Sequence, residues 1–231
     1  MTANRYALRA SREPGSRDDL DFFPTPPWAT RAFLEKLERE VDASIPNRTA
    51  WEPACGQGHM AIPLAERFRT VSASDIMQHV WTPGTQATFK SYGSWPPGPS
   101  IDFLDMRMSP APDWIITNPP FNLAADFAVA CRSRASIGFA LLVRSVWAES
   151  IGRYDAIFRE MPPTHIWQFA ERVPMAKGRW IPAGSTATAY SWFVWDVRKI
   201  GSGTEFGWIP PGQRALYHRE SDVDLFNGGD A

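Results

Sequence analysis

The stretch Thr49-Ala50-Trp51-Glu52-Pro53-Ala54-Cys55-Gly56-Gln57-Gly58 decides the fold class. Its opening Thr-Ala-Trp is a short strand candidate. The run reaches an acid and a proline, then two glycines one residue apart, and HMAIPLAERF (59–68) follows with helical apolar spacing. A strand, a glycine turn and a helix together form the general nucleotide-binding arrangement. The glycines let backbone approach a ligand, and the helix start offers free N–H groups. A plain strand-to-helix turn is the competing reading, so the neighbouring segments have to decide.

Working outward, TVSASD (70–75) reads as a second strand ending on Asp75, 23 residues after Glu52. A carboxylate about 20 residues past such a turn is placed to accept hydrogen bonds from ribose hydroxyls. A solvated loop aspartate is the alternative. Ile76, next to it, is grouped with the same site. Upstream, WATRAFLEKLEREV (28–41) has helical spacing after Pro26-Pro27, where a helix can begin. Residues 81–100 are rich in Pro, Gly, Ser and Trp and are expected to form a surface loop. Asp102, in the next loop, is placed to meet an adenine amino group, with Phe103 against the ring.

DWIIT (113–117) is an apolar strand running into Asn118-Pro119-Pro120-Phe121. A helix (LAADFAVACRSRA, 123–135), a strand (IGFALLVRSVW, 137–147), a further helix near 150–160, and the segments HIWQFAER and AYSWFVWDV follow. The last two, separated by a long excursion, are expected to pair antiparallel. The pattern predicts an α/β three-layer sandwich: a mostly parallel sheet with a C-terminal antiparallel hairpin. Residues 1–20, with Arg5, Arg9, Arg12 and Arg17, read as a flexible arm and 21–200 as one domain. Residues 201–231 read as a short, partly disordered extension ending in ESDVDLFNGGDA.

Composition is globular, with 44% hydrophobic and 21% charged residues among 231. No apolar run approaches the roughly 18 residues needed to cross a bilayer. No apolar segment follows the N-terminal arginines, which argues against a secretory signal. Cys55 and Cys131 lie far apart with no metal-ligand spacing, so no metal and a reduced, cytoplasmic setting are expected. The net charge of −1 carries no global signal for nucleic acid, although a local patch can supply phosphate contacts. Eleven tryptophans can pack a core or stack on unpaired bases.

The chemistry of Asn118–Phe121 follows from its place after a strand, at the carboxyl edge where α/β proteins bind ligands. An exocyclic amine on adenine is a poor nucleophile because its lone pair is delocalised into the ring. Two neutral oxygens accepting its N–H protons favour a pyramidal nitrogen and aim the lone pair at an electrophilic methyl group. The Asn118 amide oxygen and the Pro119 carbonyl can be those acceptors. The prolines add stiffness and no competing N–H, and Phe121 can stack on the base. A Pro-Pro turn closing a strand is the plain alternative.

The order Thr25-Pro26-Pro27, E-P-A-C-G-x-G, Asp75, Asp102-Phe103-Leu104 and NPPF resembles the gamma-type adenine-N6 DNA methyltransferases, particularly small stand-alone members from phages and prophages. The resemblance spans about residues 20–200 and is strongest over 20–125. It implies a class I, Rossmann-like methyltransferase fold, S-adenosyl-L-methionine as cofactor and nucleic acid, DNA first, as partner. It also implies that Thr25, Pro26, Glu52, Ala54 and Gly56 hold the methionine part of the cofactor. The acid matching Asp75 would hold its ribose, and the acid matching Asp102 its adenine. Restriction-type members carry a large target-recognition domain, whereas here about 34 residues follow the last predicted strand. A short or relaxed target sequence is therefore expected.

The segment ERVPMAKGRWIPAGSTATA (171–189) carries Arg172, Lys177, Arg179 and Trp180. At the active-site edge its cations can track phosphates while Trp180 fills or faces the space of a flipped base; an ordinary long hairpin loop is the competing reading. Arg144 and Trp147 are further candidates for that surface. His59 is read as a helix-turn residue and Cys55 as a small motif residue. The rival functions are N6-adenine methylation of ribosomal or other structured RNA, methylation of protein glutamine, and a catalytically silent nucleic-acid binder. The sequence leaves monomer and homodimer open.

Overall fold

A computed structural model describes residues 22–94, 100–105 and 111–227. The Arg-rich arm and the last four residues of the tail lie outside them. Seven strands form one sheet: β1 (Thr49–Glu52), β2 (Thr70–Ala73), β3 (Trp114–Thr117), β4 (Gly138–Arg144), β5 (His165–Phe169), β6 (Tyr190–Asp196) and β7 (Glu205–Ile209). Their spatial order is β2-β1-β3-β4-β6-β5-β7. The first four run parallel, β6 is antiparallel to both β4 and β5, and β7 pairs parallel to β5.

The central strands are buried on both faces, which is why they read as unbroken apolar runs. Alternate residues serve two separate cores. Trp114, Ile116, Ala140, Leu142, Trp192 and Val194 pack under helix α1 (Pro27–Glu40) and the short α2 (Ala61–Ala65). Ile115, Phe139, Leu141, Phe193 and Trp195 face the other way, with Phe127, Ala128 and Cys131 against them. Those last three belong to a helix over Ala124–Arg132. Helix, sheet and helix make the three layers the sequence predicts.

The segment 81–100 is not only a loop, because helix α3 (Pro83–Ser91) lies within it. Its local signal was Thr82-Pro83: the Thr82 hydroxyl accepts the Thr85 N–H at 3.0 Å and proline occupies the first helical turn. The helix Ala124–Arg132 is α4, and the expected helix near 150–160 is a short turn, α5 (Ile151–Arg153), running into a π-helical turn over Tyr154–Phe158.

The C-terminal extension also departs from expectation. It adds the edge strand β7, then α6 (Gln213–Tyr217) and α7 (Glu220–Asn227). The buried Arg31 of α1 grips Asp222 of α7 at 2.6 Å and Glu66 at 2.8 Å. Phe226 stacks on His59 with ring centroids 4.1 Å apart. Hydroxyls of Thr82 and Thr85 both donate to the Leu225 carbonyl at 3.1 Å. Those long-range partners hold a helix that the polar composition of the segment conceals.

Candidate functional site

After β1 the chain moves to β2 on one side of it, while β3 lies on the other. The sheet order reverses there, and in α/β sheets the carboxyl ends of two such strands, here β1 and β3, are where ligands bind. Those ends carry Glu52–Gly58 and Asn118–Phe121, so the two decisive motifs become neighbours although some 60 residues separate them.

The glycine turn is shaped by backbone that other residues avoid: Gly56 has φ +49° and Gly58 φ +91°. A Cβ on Gly56 would also lie 2.4 Å from the Phe22 ring, which packs against it. Asp75 fastens the turn to the end of β2. Its Oδ2 accepts the Gly56 N–H at 2.8 Å and its Oδ1 the Met77 N–H at 2.9 Å. The Trp81 indole N–H donates to the Gly56 carbonyl at 2.8 Å, and the Ile101 N–H to the Asp75 carbonyl at 2.9 Å. That last bond brings the Asp102 turn beside Asp75, where Asp102 Oδ1 accepts the Leu104 N–H at 2.8 Å. Ile76 stands 49% exposed, an apolar side chain with no core to enter.

Glu52, at the end of β1, is 2% exposed, and its Oε2 has no partner among the described residues. Burial pushes its carboxyl well above the usual range, and the nearby Asp75 charge adds to the shift. Burial also raises Asp75, against the opposing pull of the Met77 and Gly56 N–H groups and of His79. Two acids in a dry turn mark a place made for positive charge or for hydroxyl donors. Ala54 is half-buried in the turn, and Pro26 is buried at the start of α1.

On the second motif, the Asn118 amide is held through its nitrogen. Nδ2 donates to the Phe23 carbonyl at 2.9 Å and to Thr25 Oγ1 at 3.2 Å, and Met175 Sδ lies 3.7 Å away. Its Oδ1 is buried and without a partner among the described residues. An oriented, unused acceptor at the sheet edge is what the reading of Asn118 requires. Pro119 and Pro120 follow, and Phe121 packs near Phe23, ring centroids 5.1 Å apart. The Arg144 guanidinium, at the end of β4, lies 4.5 Å over the Phe121 ring. It also faces the Tyr190 hydroxyl, whose pKa burial raises and Arg144 pulls back. Arg144 thus belongs to the site's rim. Phe23, Met175 and Tyr190 join the site without any local signal; only tertiary contact brings them there.

Two expectations are corrected. Phe103 is 2% exposed, packed edge-on to Trp51 at 5.0 Å and beside Phe127 at 4.8 Å, with the Arg134 guanidinium 4.6 Å over its ring. The core takes that ring and leaves almost none of its surface for a ligand's adenine. Trp180 is 5% exposed and sits edge-on to His59 and Phe226, centroids 5.9 and 6.0 Å away. The indole is used in seating α7, not in facing an extruded base. The rest of the 171–189 loop lies at the same edge of the sheet as Asn118 and Arg144. It leaves the carboxyl end of β5 and enters β6 at Tyr190, opposite Arg144. The Gly178 N–H donates to the Phe22 carbonyl at 2.8 Å. Arg172, Lys177 and Arg179 are exposed on it, Arg172 donating to the Ala187 carbonyl at 2.9 Å. His59 is fully packed, and burial pushes its pKa down to about 3. Among the described residues no cluster of His, Cys, Asp or Glu could hold a metal, and no helix is long and apolar enough to cross a membrane.

No protein-family profile matches the chain, and no curated protein matches it either. Solved structures do. A provisionally assigned class I S-adenosylmethionine-dependent methyltransferase from Listeria monocytogenes matches with a TM-score of 0.52 at 12% identity, over 80% of this chain and 65% of that one. The modification subunit of a provisionally assigned type I restriction enzyme from Vibrio vulnificus matches at 0.55 and 16% identity, over 94% of this chain and 54% of its own. A provisionally assigned RNA methyltransferase from Pyrococcus horikoshii matches at 0.56 and 12% identity, over 82% and 94%. The chain therefore spans less than two thirds of the first two proteins. At these identities the likeness concerns the fold: a Rossmann-like methyltransferase sandwich with its sheet mostly parallel and one antiparallel hairpin.

Proposed function

We propose that this protein transfers a methyl group from S-adenosyl-L-methionine to the exocyclic N6 of adenine in nucleic acid, with DNA as the favoured polymer. One observation carries the reading: Asn118 spends its amide nitrogen on the protein and keeps a buried oxygen that no donor among the described residues fills. A neutral amine is such a donor, and the Pro119 carbonyl is the second acceptor. Holding both N–H groups turns the N6 lone pair out of conjugation. A bound S-adenosylmethionine would supply the electrophilic methyl that faces this lone pair, with its sulfonium sulfur as the leaving group that keeps the bonding electrons. The surplus N6 proton leaves to water afterwards, so no strong base is needed. Phe121, backed by Arg144, offers the stacking face.

The first motif fits the cofactor. When bound, S-adenosylmethionine supplies an electrophilic methyl on a sulfonium and brings an ammonium group besides. Glu52 and Asp75 gather negative charge for a cation and acceptors for ribose hydroxyls, and the exposed Ile76 offers an apolar contact beside them. Asp102 is the candidate for the adenine amino group. The resemblance over residues 20–125 favours DNA, while fold likenesses to a restriction modification subunit and to an RNA methyltransferase support nucleic acid without choosing the polymer. Arg172, Lys177, Arg179 and Arg144 are the candidate phosphate contacts.

The raised Glu52 carboxyl makes cofactor binding pH-dependent, with a definite sign. Burial and the Asp75 charge favour the protonated acid in the free protein. A cationic ligand favours the carboxylate, so binding releases protons, and affinity rises with pH until it levels off above the raised pKa. Calorimetry in buffers of different ionisation enthalpy measures the release, which Glu52→Gln removes. Proton uptake on binding contradicts the assignment. The polymer itself is tested with labelled cofactor on DNA, RNA and protein side by side. Label entering protein alone would overturn the reading.

A further inference from the structure

We propose that Thr25 and Met175 are positioning residues for Asn118, fixing which end of its amide faces the target amine. The inference rests on the methyl-transfer reading of the same site and moves Thr25 from the cofactor half to the catalytic half.

Three acceptors surround Asn118 Nδ2, from two separate parts of the chain. The Phe23 carbonyl and Thr25 Oγ1 lie on the segment before α1, and Met175 Sδ lies on the β5–β6 loop. Turning the amide over would set its oxygen against a carbonyl and a thioether, neither of which can donate. Thr25 alone could not enforce this, because a hydroxyl donates as readily as it accepts. The Met175 sulfur breaks that ambiguity. It lies 3.9 Å from Thr25 Oγ1 and takes the hydroxyl proton, so the hydroxyl oxygen is left to accept from Asn118. Thr25 and Met175 are both buried, which removes water as a substitute partner. Without the sulfur, only the Phe23 carbonyl still opposes a turned amide, in which the hydroxyl would donate to Asn118 Oδ1 and occupy the atom meant for the substrate.

A residue of this kind affects the chemical step and spares the cofactor. The test measures single-turnover transfer from labelled cofactor to unmethylated plasmid DNA, and cofactor Kd by calorimetry. The variants are Thr25→Val, Thr25→Ser, Met175→Leu and the Val/Leu pair. Thr25→Val should slow transfer about tenfold while cofactor Kd stays within about twofold, the share of one buried hydrogen bond. Thr25→Ser, which keeps the hydroxyl, should restore transfer to within about twofold of the parent. Met175→Leu conserves volume and should cost about threefold, because a thioether is a weak acceptor. The pair should fall short of the product of the two losses, since the sulfur acts largely through the hydroxyl. Retained cofactor binding also confirms that each variant is folded, and Met175→Leu keeps the test open should Thr25→Val unfold. A Thr25→Val protein that transfers at the parent rate overturns the inference, as does one losing cofactor affinity in step with rate. An active Asn118→Ala would remove the methyl-transfer reading with it; an inactive Asn118→Ala beside a fully active Thr25→Val removes this inference alone.

Discussion

Asn118→Ala is expected to lower methyl transfer by about 10²–10³-fold, the loss of roughly 3–4 kcal/mol that follows removal of one preorganised hydrogen-bonding group from a transition state. The fall should be confined to the chemical step. The hydrogen-bond partners of the Asn118 side chain among the described residues are Phe23, Thr25 and Met175, none of which lies in the Glu52–Asp75 turn, so cofactor affinity should change far less. Asn118→Asp sharpens the test because it keeps shape while replacing the donor with an oxygen. That oxygen would face the Phe23 carbonyl and the Met175 sulfur, and the carboxylate would have to turn or take a proton. Single-turnover kinetics beside calorimetry separates the two effects. Near-normal turnover in the Ala variant would end the proposed role.

The second large effect is expected at Asp75. Asp75→Ala should weaken cofactor binding about 10- to 100-fold, the equivalent of a charge-assisted hydrogen bond of about 1.5–3 kcal/mol. The structure adds a second cause of loss. Asp75 also anchors the Gly56 and Met77 N–H groups, so alanine loosens the turn that has to meet the ligand. Asp75→Asn separates the contributions, since its remaining oxygen can hold one N–H while the charge is gone. An affinity unchanged by calorimetry in both variants would remove Asp75 from the cofactor half.

What was legible in the sequence follows from how local each signal is. The glycine turn, Asp75 and the Asn118 segment could be placed because each ends an apolar strand, and a strand end followed by Gly or Pro constrains its own backbone. The α1 helix was read almost to the residue from apolar spacing after two prolines. The α3 helix was missed because composition outweighed a two-residue cap signal at Thr82-Pro83. The α7 helix and β7 were missed for another reason. Glu220–Asn227 is polar and gains its place from Arg31, His59 and Leu225's hydroxyl partners, all far away in sequence. Trp180 and Phe103 show the same limit from the other side. An aromatic near a site reads as a ligand contact until the fold shows which neighbours already cover it. Met175 is the reverse case: a loop methionine with no motif, brought to Asn118 by the path of the β5–β6 loop.

The central claim is that a nucleic-acid adenine amine receives the methyl group, and the identity of the methylated nucleoside tests it most directly. Purified protein is incubated with labelled S-adenosylmethionine and unmethylated DNA, the DNA is digested to nucleosides, and the labelled species is identified by mass. Label in N6-methyl-deoxyadenosine, absent from the Asn118→Ala reaction, is the predicted result. Label in a methylated cytosine ring carbon, or in protein with none in DNA or RNA, would contradict the account.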